Sequence, residues 1–439
     1  MKRIIGIALA LALAAFAAGC GTNPDNGGST DGGGTGELTG KISFLEKWPD
    51  PQYKVIFDKI VADYIAAHPG VEIDHQAVGD QPIKDQLRVL TSADELPDIF
   101  FAWPGDFAKK FIRGGFAADL SEYLNGTEWG DSLAESALGA YKYDGKYYGI
   151  PINMNAKVFA YSKSAFSKAG VQPPTNYEEL LASCEPLKAS GYTPIAFGNQ
   201  YGWPAIHYIT QLNAEYVAAD VRNADYDPAG GAFVDPGYEK ALQTFKDLID
   251  KCSKPGSNGI SHETAQAELT NGKAGMQYVE VLEFVSLTNT ETVPESWLND
   301  WDFFAFPPIA GAAGTPGAIT GAPDGFLVNG KSQNIALAVD FLKFMTSKDN
   351  AALIVKDIGW PSPVAGSAEL AQATPEVQKA VTMMSAAPEM AIWLDTETHA
   401  EVAQAYLAGV ESLLNQDLTP AQVMDSVRAA AAKVKAENS

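Results

Sequence analysis

Cysteine, histidine and positive charge are all scarce in these 439 residues. There are three Cys and five His, and 31 Lys plus Arg stand against 54 Asp plus Glu, a formal charge of −23. A surface this acidic repels phosphate backbones and anionic headgroups, which argues against nucleic acid and anionic ligands and suits a neutral solute. The five His (His68, His75, His207, His262 and His399) are scattered without ligand spacing. His262-Glu263 is followed by Thr264-Ala265-Gln266, so the second His of a zinc-protease motif is missing. Asp225 to Gly230 begins like a calcium loop, but Ala229 falls at its fifth position and Pro236 at its twelfth. The chain also lacks a G-x-S-x-G elbow and a Walker loop. Among 54 acids coincidental pairs are certain, so no glycosidase pair can be singled out. Neither a metal nor a cofactor is expected, and no catalytic residue is assigned.

Long apolar runs are absent after the first residues. Lys2 and Arg3 precede an uncharged stretch, Ile4 to Phe16, too short to cross roughly 30 Å of hydrocarbon but suited to a signal sequence. Ala17-Ala18-Gly19-Cys20 resembles a lipobox, with Ala17 where that motif prefers Leu. The resemblance implies a signal peptide over 1–19 and lipidation of Cys20; an ordinary signal peptide with Cys20 incidental is the alternative. Removing Lys2 and Arg3 takes the balance from −23 to −25. Residues 20–37 are Gly, Thr, Asn, Ser and Asp with almost nothing apolar, a composition that predicts a flexible linker. Cys184 and Cys252 remain, an even number in a compartment where disulfides persist. Their positions do not settle pairing, and two separately buried thiols is the plainer reading.

The rest alternates strand and helix signals. Ile42-Ser43-Phe44 reads as a strand. Phe57, Ile60, Val61, Tyr64 and Ile65 mark one face of a helix stopped at His68-Pro69-Gly70. Val71, Ile73, His75 and Ala77 alternate with polar residues as in a strand, a helix follows over about 82–92, and Leu96 to Ala102 reads as a buried strand. This βαβαβ order predicts an α/β protein with a mostly parallel sheet. The same grammar resumes with strands over 147–151 and 193–197 and helices over 177–189, 238–249 and 335–345, and a last helix opens at Thr419-Pro420.

Tryptophan is what stands out. Of eight, four precede Pro: Trp48, Trp103, Trp203 and Trp360. With 26 Pro in the chain, chance gives about half such a pair. A residue before Pro is pushed out of helical geometry, which predicts indoles on stiffened turns at element ends. Such an indole offers a flat apolar face with one N–H donor, suited to a sugar ring flanked by Asp, Glu, Asn and Gln.

Several stretches resemble the extracellular solute-binding proteins of ABC sugar importers, the group that includes maltose-binding protein. They are LPDIFFAWPGDFAKKFIRGGFAADL (96–120), YKYDGKYYGIPINMNAKVFAYSKSAFSKAGV (141–171), NGKAGMQYVE (271–280), GAPDGFLVNGKSQNIALAVDFLKFMTS (321–347) and LTPAQVMDSV (418–427). The resemblance implies a two-lobed, type II periplasmic-binding-protein-like fold, lobe one over 38–149 plus 281–330 and lobe two over 150–280 plus 331–439. Carbohydrate would be trapped between closing lobes and delivered to the permease subunits of an importer. A monomer held on the outer face of the membrane through Cys20 is expected. Carried over by position, the ligand-binding residues are Glu46, Trp48, Asp80, Gln81, Trp103 and Asp106 on one side. Asn153, Asn155, Asn199, Trp203 and Glu280 lie on the other, with Asp324, Gly325, Trp360, Trp393 and Asp395 on later loops. Glu280 departs from the family's usual Gly, and Leu282 from its usual Trp. The same fold binding another solute such as a polyamine is the physical rival, given the charge and the aromatics. A secreted carbohydrate-active enzyme is a further one.

Overall fold

A computed structural model describes residues 38–437; the expected leader, Cys20 and linker lie outside the described residues. Alternating apolar residues form strands Gly40–Glu46 and Val71–Ala77, which pair in parallel because helix Pro51–Ala67 carries the chain back between them. The helix buries Phe57, Ile60, Val61 and Tyr64, on the face the periodicity predicts, and His68 caps it. Helix Asp80–Ala93 leads to strand Ile99–Ala102, again parallel to the first. The returning strand Gly325–Val328 and the crossing strand Gly149–Pro151 complete this sheet antiparallel, so it is mixed, in the order 71–77, 40–46, 99–102, 325–328, 149–151.

A second sheet runs 301–305, 157–162, 274–280, 193–195, with one parallel pairing at its end. Strand Lys157–Ser162 is buried on both faces. Phe159 and Tyr161 point into one apolar cluster with Tyr208, Phe245 and Tyr278, while Val158 and Ala160 point into another with Trp297, Trp301 and Phe303. Around the first sheet a separate core gathers Phe44, Phe57, Phe100, Phe101, Phe326 and Phe341. Two sheets with two cores give the two halves that the resemblance implies, but the later boundaries differ from the expected ones. Trp301–Ala305 hydrogen-bonds to 157–162 and belongs with the second sheet, outside the first half expected over 281–330. Helix Ile335–Met345 sinks Leu337, Ala338, Phe341, Leu342 and Met345 into the first core, and Lys348–Ile358 follows with Ile354 and Ile358. An amphipathic helix read from sequence does not announce which of two cores it covers.

Cys184 and Cys252 are joined in a disulfide with a Cα–Cα distance of 5.3 Å. Their helices, Tyr177–Ala189 and Gly237–Cys252, pack side by side, so two separately buried thiols is corrected to a cross-link. It spans 68 residues, and by the chain-entropy argument such a loop contributes about 4 kcal/mol. Among the described residues no helix is long and apolar enough to cross a membrane.

Candidate functional site

The parallel strands of the first sheet end on one side, where open α/β sheets take their ligands. Lys47 follows strand 40–46, Asp80 opens helix Asp80–Ala93 with its carboxylate at the positive end of the helix, and Trp103 follows strand 99–102. From the second half come Trp203 and His207, four residues apart and therefore on one face of helix Trp203–Tyr216. Glu280 ends strand Ala274–Glu280, and Trp393 and Asp395 stand at the start of helix Leu394–Glu397. These groups surround a cavity of about 400 Å³ between the two halves, the size of a small-molecule site.

Nine of the expected residues line it: Asp80, Gln81, Trp103, Asn155, Trp203, Glu280, Asp324, Trp393 and Asp395. Two more stand behind it. Asn153 is fully buried, donates from Nδ2 to Asp324 Oδ2 at 3.1 Å and accepts from the Asp324 backbone N–H at 2.9 Å, so it positions that carboxylate. Gly325 leaves no room for a side chain, since a Cβ there would lie 2.5 Å from the Ile150 carbonyl oxygen.

The remaining five lie elsewhere. Trp48 stacks on Phe57 at 5.2 Å and meets Trp360 at 4.8 Å inside the first core, and the Trp360 Nε1–H donates to the Leu282 carbonyl at 3.2 Å. Both indoles are corrected from ligand contact to core packing, because their turns face inward. Glu46 is buried, accepting from the Trp48 backbone N–H and facing His75 Nε2 at 3.4 Å. Asn199 caps the turn into helix 203–216 by accepting from Ala205 N–H at 3.0 Å. Asp106 pairs with Arg113 at 2.7 Å and borders a different groove, with Lys109 and Glu397. Trp203 itself begins a helix with Pro204 in its first turn and is not held on a turn.

Missing from the expected set are Lys47, Lys84, His207 and Glu283, all lining the cavity. Three had a signal in spacing: Lys84 follows Asp80 by four, His207 follows Trp203 by four, and Glu283 follows Glu280 by three. Lys47 Nζ lies 3.4 Å from Asp324 and 3.5 Å from Asp80. Burial opposes its charge, but Asp324, Asp80 and Glu280 outweigh this and hold it far above the ordinary lysine range. Asn155 Nδ2 donates to Glu280 at 2.6 Å, and the ammonium of buried Lys157 is 3.8 Å from the same carboxylate. Burial still raises the Glu280 carboxyl, against the pull of Lys157. His207 stacks on Trp393 at 4.2 Å and stays neutral, first through burial and then through Lys157 and the other cations near it. Trp203 rests on His262 at 4.7 Å with the Lys157 ammonium 4.8 Å from its ring. Flat indoles thus alternate with acidic, basic and amide groups around one space, suited to a solute with apolar faces and many hydroxyls. Among the described residues no cluster of His, Cys, Asp and Glu could hold a metal ion.

The sequence model of the bacterial extracellular solute-binding proteins matches residues 49–352. The chain belongs to that family. This solute-binding protein is similar to an ABC transporter extracellular-binding protein of Pyrococcus horikoshii, 25% identical over 319 residues, 69% of this chain and 68% of the relative. It is also similar to the multiple sugar-binding protein of Streptococcus mutans, 24% identical over 304 residues, 66% and 67% of the two chains. Its fold is that of a chitin oligosaccharide binding protein, with a TM-score of 0.82 and 22% identity over 91% of this chain and 99% of the other.

Glu283 supplies a pH test. Burial pushes its carboxyl up, but His262, 2.7 Å away, and Lys157 more than reverse this and hold it below the ordinary value of 4.5. A depressed carboxyl contributes stability above pH 4.5 that is lost as pH falls below it. Glu280, Asp324 and Asp395 are raised by burial and act in the opposite sense, so the informative comparison is between variant and wild type. Glu283→Gln should flatten the acid fall in stability, measured by thermal unfolding from about pH 6 to about pH 3. A slope equal to wild type contradicts the role given to the His262 contact.

Proposed function

We propose that this solute-binding protein captures a carbohydrate between its two halves and delivers it to the membrane subunits of an ABC importer. The observation that carries the reading is the convergence of Trp103, Trp203 and Trp393 with Asp80, Asn155, Glu280 and Asp324 on one cavity. Indole faces match the C–H faces of a sugar, and a buried hydrogen bond to a charged group is worth about 1.5–3 kcal/mol, so two or three fix orientation and epimer. The names of the sugar-binding relatives favour the same substrate class.

Solute would contact both halves only when they close, so binding shifts the population toward the closed form that the permease subunits recognise. Lys84 to Asp395 at 3.7 Å and Lys109 to Glu397 at 3.6 Å already join the halves and would hold such a form. The role is one of binding, without catalysis, by a monomer. The same reading anchors the chain outside the cytoplasm by lipid on Cys20, which keeps the binder near its transporter.

Titration calorimetry against mono- and oligosaccharides, with spermidine and a peptide mixture as controls, tests the substrate. A carbohydrate should bind, and Trp203→Ala should weaken it by about 1–3 kcal/mol with the melting temperature nearly unchanged. Binding of spermidine or peptide and of no carbohydrate contradicts the proposal. A large fall in melting temperature with unchanged affinity returns Trp203 to a packing role. For the anchor, Cys20→Ser should leave solute binding intact and move the protein from the membrane to the soluble fraction; a variant still in the membrane pellet refutes lipidation there.

A further inference from the structure

Acidic side chains outnumber basic ones around the cavity. Six carboxylates line it, those of Asp80, Glu263, Glu280, Glu283, Asp324 and Asp395, against the ammonium groups of Lys47 and Lys84. Lys157 behind the wall faces Glu280 at 3.8 Å and His262 faces Glu283 at 2.7 Å, so those two acids have partners of their own, while His207 is held neutral. Asp395 is the most exposed to this imbalance. Its side chain is 8% accessible, its Oδ1 is buried without a hydrogen-bond partner, and Lys84 Nζ approaches only to 3.7 Å of Oδ2. Burial holds the carboxyl above its usual range despite that lysine.

Lys84 shows what the place accepts. Its Nζ lies 4.8 Å from the centre of the Trp103 ring and 3.7 Å from Asp395 at once, so one ammonium reaches an indole face and a buried carboxylate together. A second ammonium, that of Lys47, lies 4.8 Å from the same Trp103 ring, and Lys157 lies 4.8 Å from that of Trp203. A neutral sugar stacking on Trp103 would have to displace ammonium groups and would leave Asp395 Oδ1 to a hydroxyl. Lys84 is a long side chain in the first turns of helix Asp80–Ala93 and is 30% exposed, so it can swing out to solvent.

We propose that the carbohydrate bound here carries a primary amine, held as an ammonium between the Trp103 indole and the Asp395 carboxylate where Lys84 Nζ now stands. The proposal rests on the carbohydrate reading above and narrows it. An ammonium in that position pairs with the Asp395 carboxylate and gains the indole face.

The test uses the full chain and calorimetry at neutral pH with pairs of sugars that differ only in amine for hydroxyl. Suitable pairs are glucosamine and glucose, galactosamine and galactose, mannosamine and mannose, and β-1,4-linked oligomers of glucosamine and of glucose. In the pair that binds, the amino member should be tighter by about tenfold or more at low salt, with the advantage shrinking as salt rises. Asp395→Asn should abolish that advantage, weakening the amino member about tenfold more than the neutral one. Lys84→Met, which removes the resident ammonium and keeps the stem, should enlarge it. Equal or tighter binding of the neutral member overturns the amine and leaves the carbohydrate reading standing. Failure of both members of every pair overturns both. An amine preference untouched by Asp395→Asn and by Lys84→Met overturns the assigned position.

Discussion

At the floor of the cleft one buried ammonium, that of Lys47, lies within 3.5 Å of carboxylates from two distant parts of the chain, Asp80 and Asp324. Lys47 follows the first strand, Asp80 begins the helix after the second, and Asp324 sits where the chain returns to the sheet. Asp324 is buried while Asp80 is 45% exposed, so it is loss of the Lys47–Asp324 contact that leaves an uncompensated buried charge, which typically costs about 3–5 kcal/mol. The contact therefore fixes where three loops end. It also orients two carboxylates toward the cavity, and Asn153 holds Asp324 from behind. With the Lys47 ammonium 4.8 Å from the Trp103 ring, the same group sets that indole beside them.

The second half answers with a parallel device. Glu280 is bound by Asn155 and faced by Lys157, and Lys157 lies beneath Trp203. Each half thus presents an indole backed by a buried lysine whose charge is matched by acids. His207, wedged between Trp203 and Trp393, keeps two indoles apart without adding charge. Because the polar groups are held by neighbours before any solute arrives, little ordering remains for binding to supply, and closure of the halves is left as the principal change.

Much of this was legible in the chain. The helix over 51–67 follows from Phe57 to Ile65 and the stop at His68-Pro69-Gly70, and the strand over 71–77 from strict alternation. Both are local patterns that tertiary packing reinforces. What failed were choices between two destinations equally open to a local pattern. Trp48 and Trp103 both follow strands and precede Pro, yet one packs on Phe57 and the other lines the cleft. Helix 335–345 is amphipathic wherever it docks, and only the fold sends it to the first core. Cys184 and Cys252, 68 residues apart, meet because two helices pack, which spacing alone does not encode. An acidic composition points to acids as ligands and says nothing of the few cations beside them. In a buried site it is the few cations that decide how those acids are placed.

The central claim is that the cleft between the two halves is built for a carbohydrate. The most direct measurement is the identity of the solute that the protein carries when purified undenatured from its own cells, released by unfolding and analysed by mass spectrometry. The account predicts a hexose- or hexosamine-containing compound, recovered in proportion to protein and absent from the Trp203→Ala variant. Recovery of a peptide, a free polyamine or a lipid in its place would contradict it.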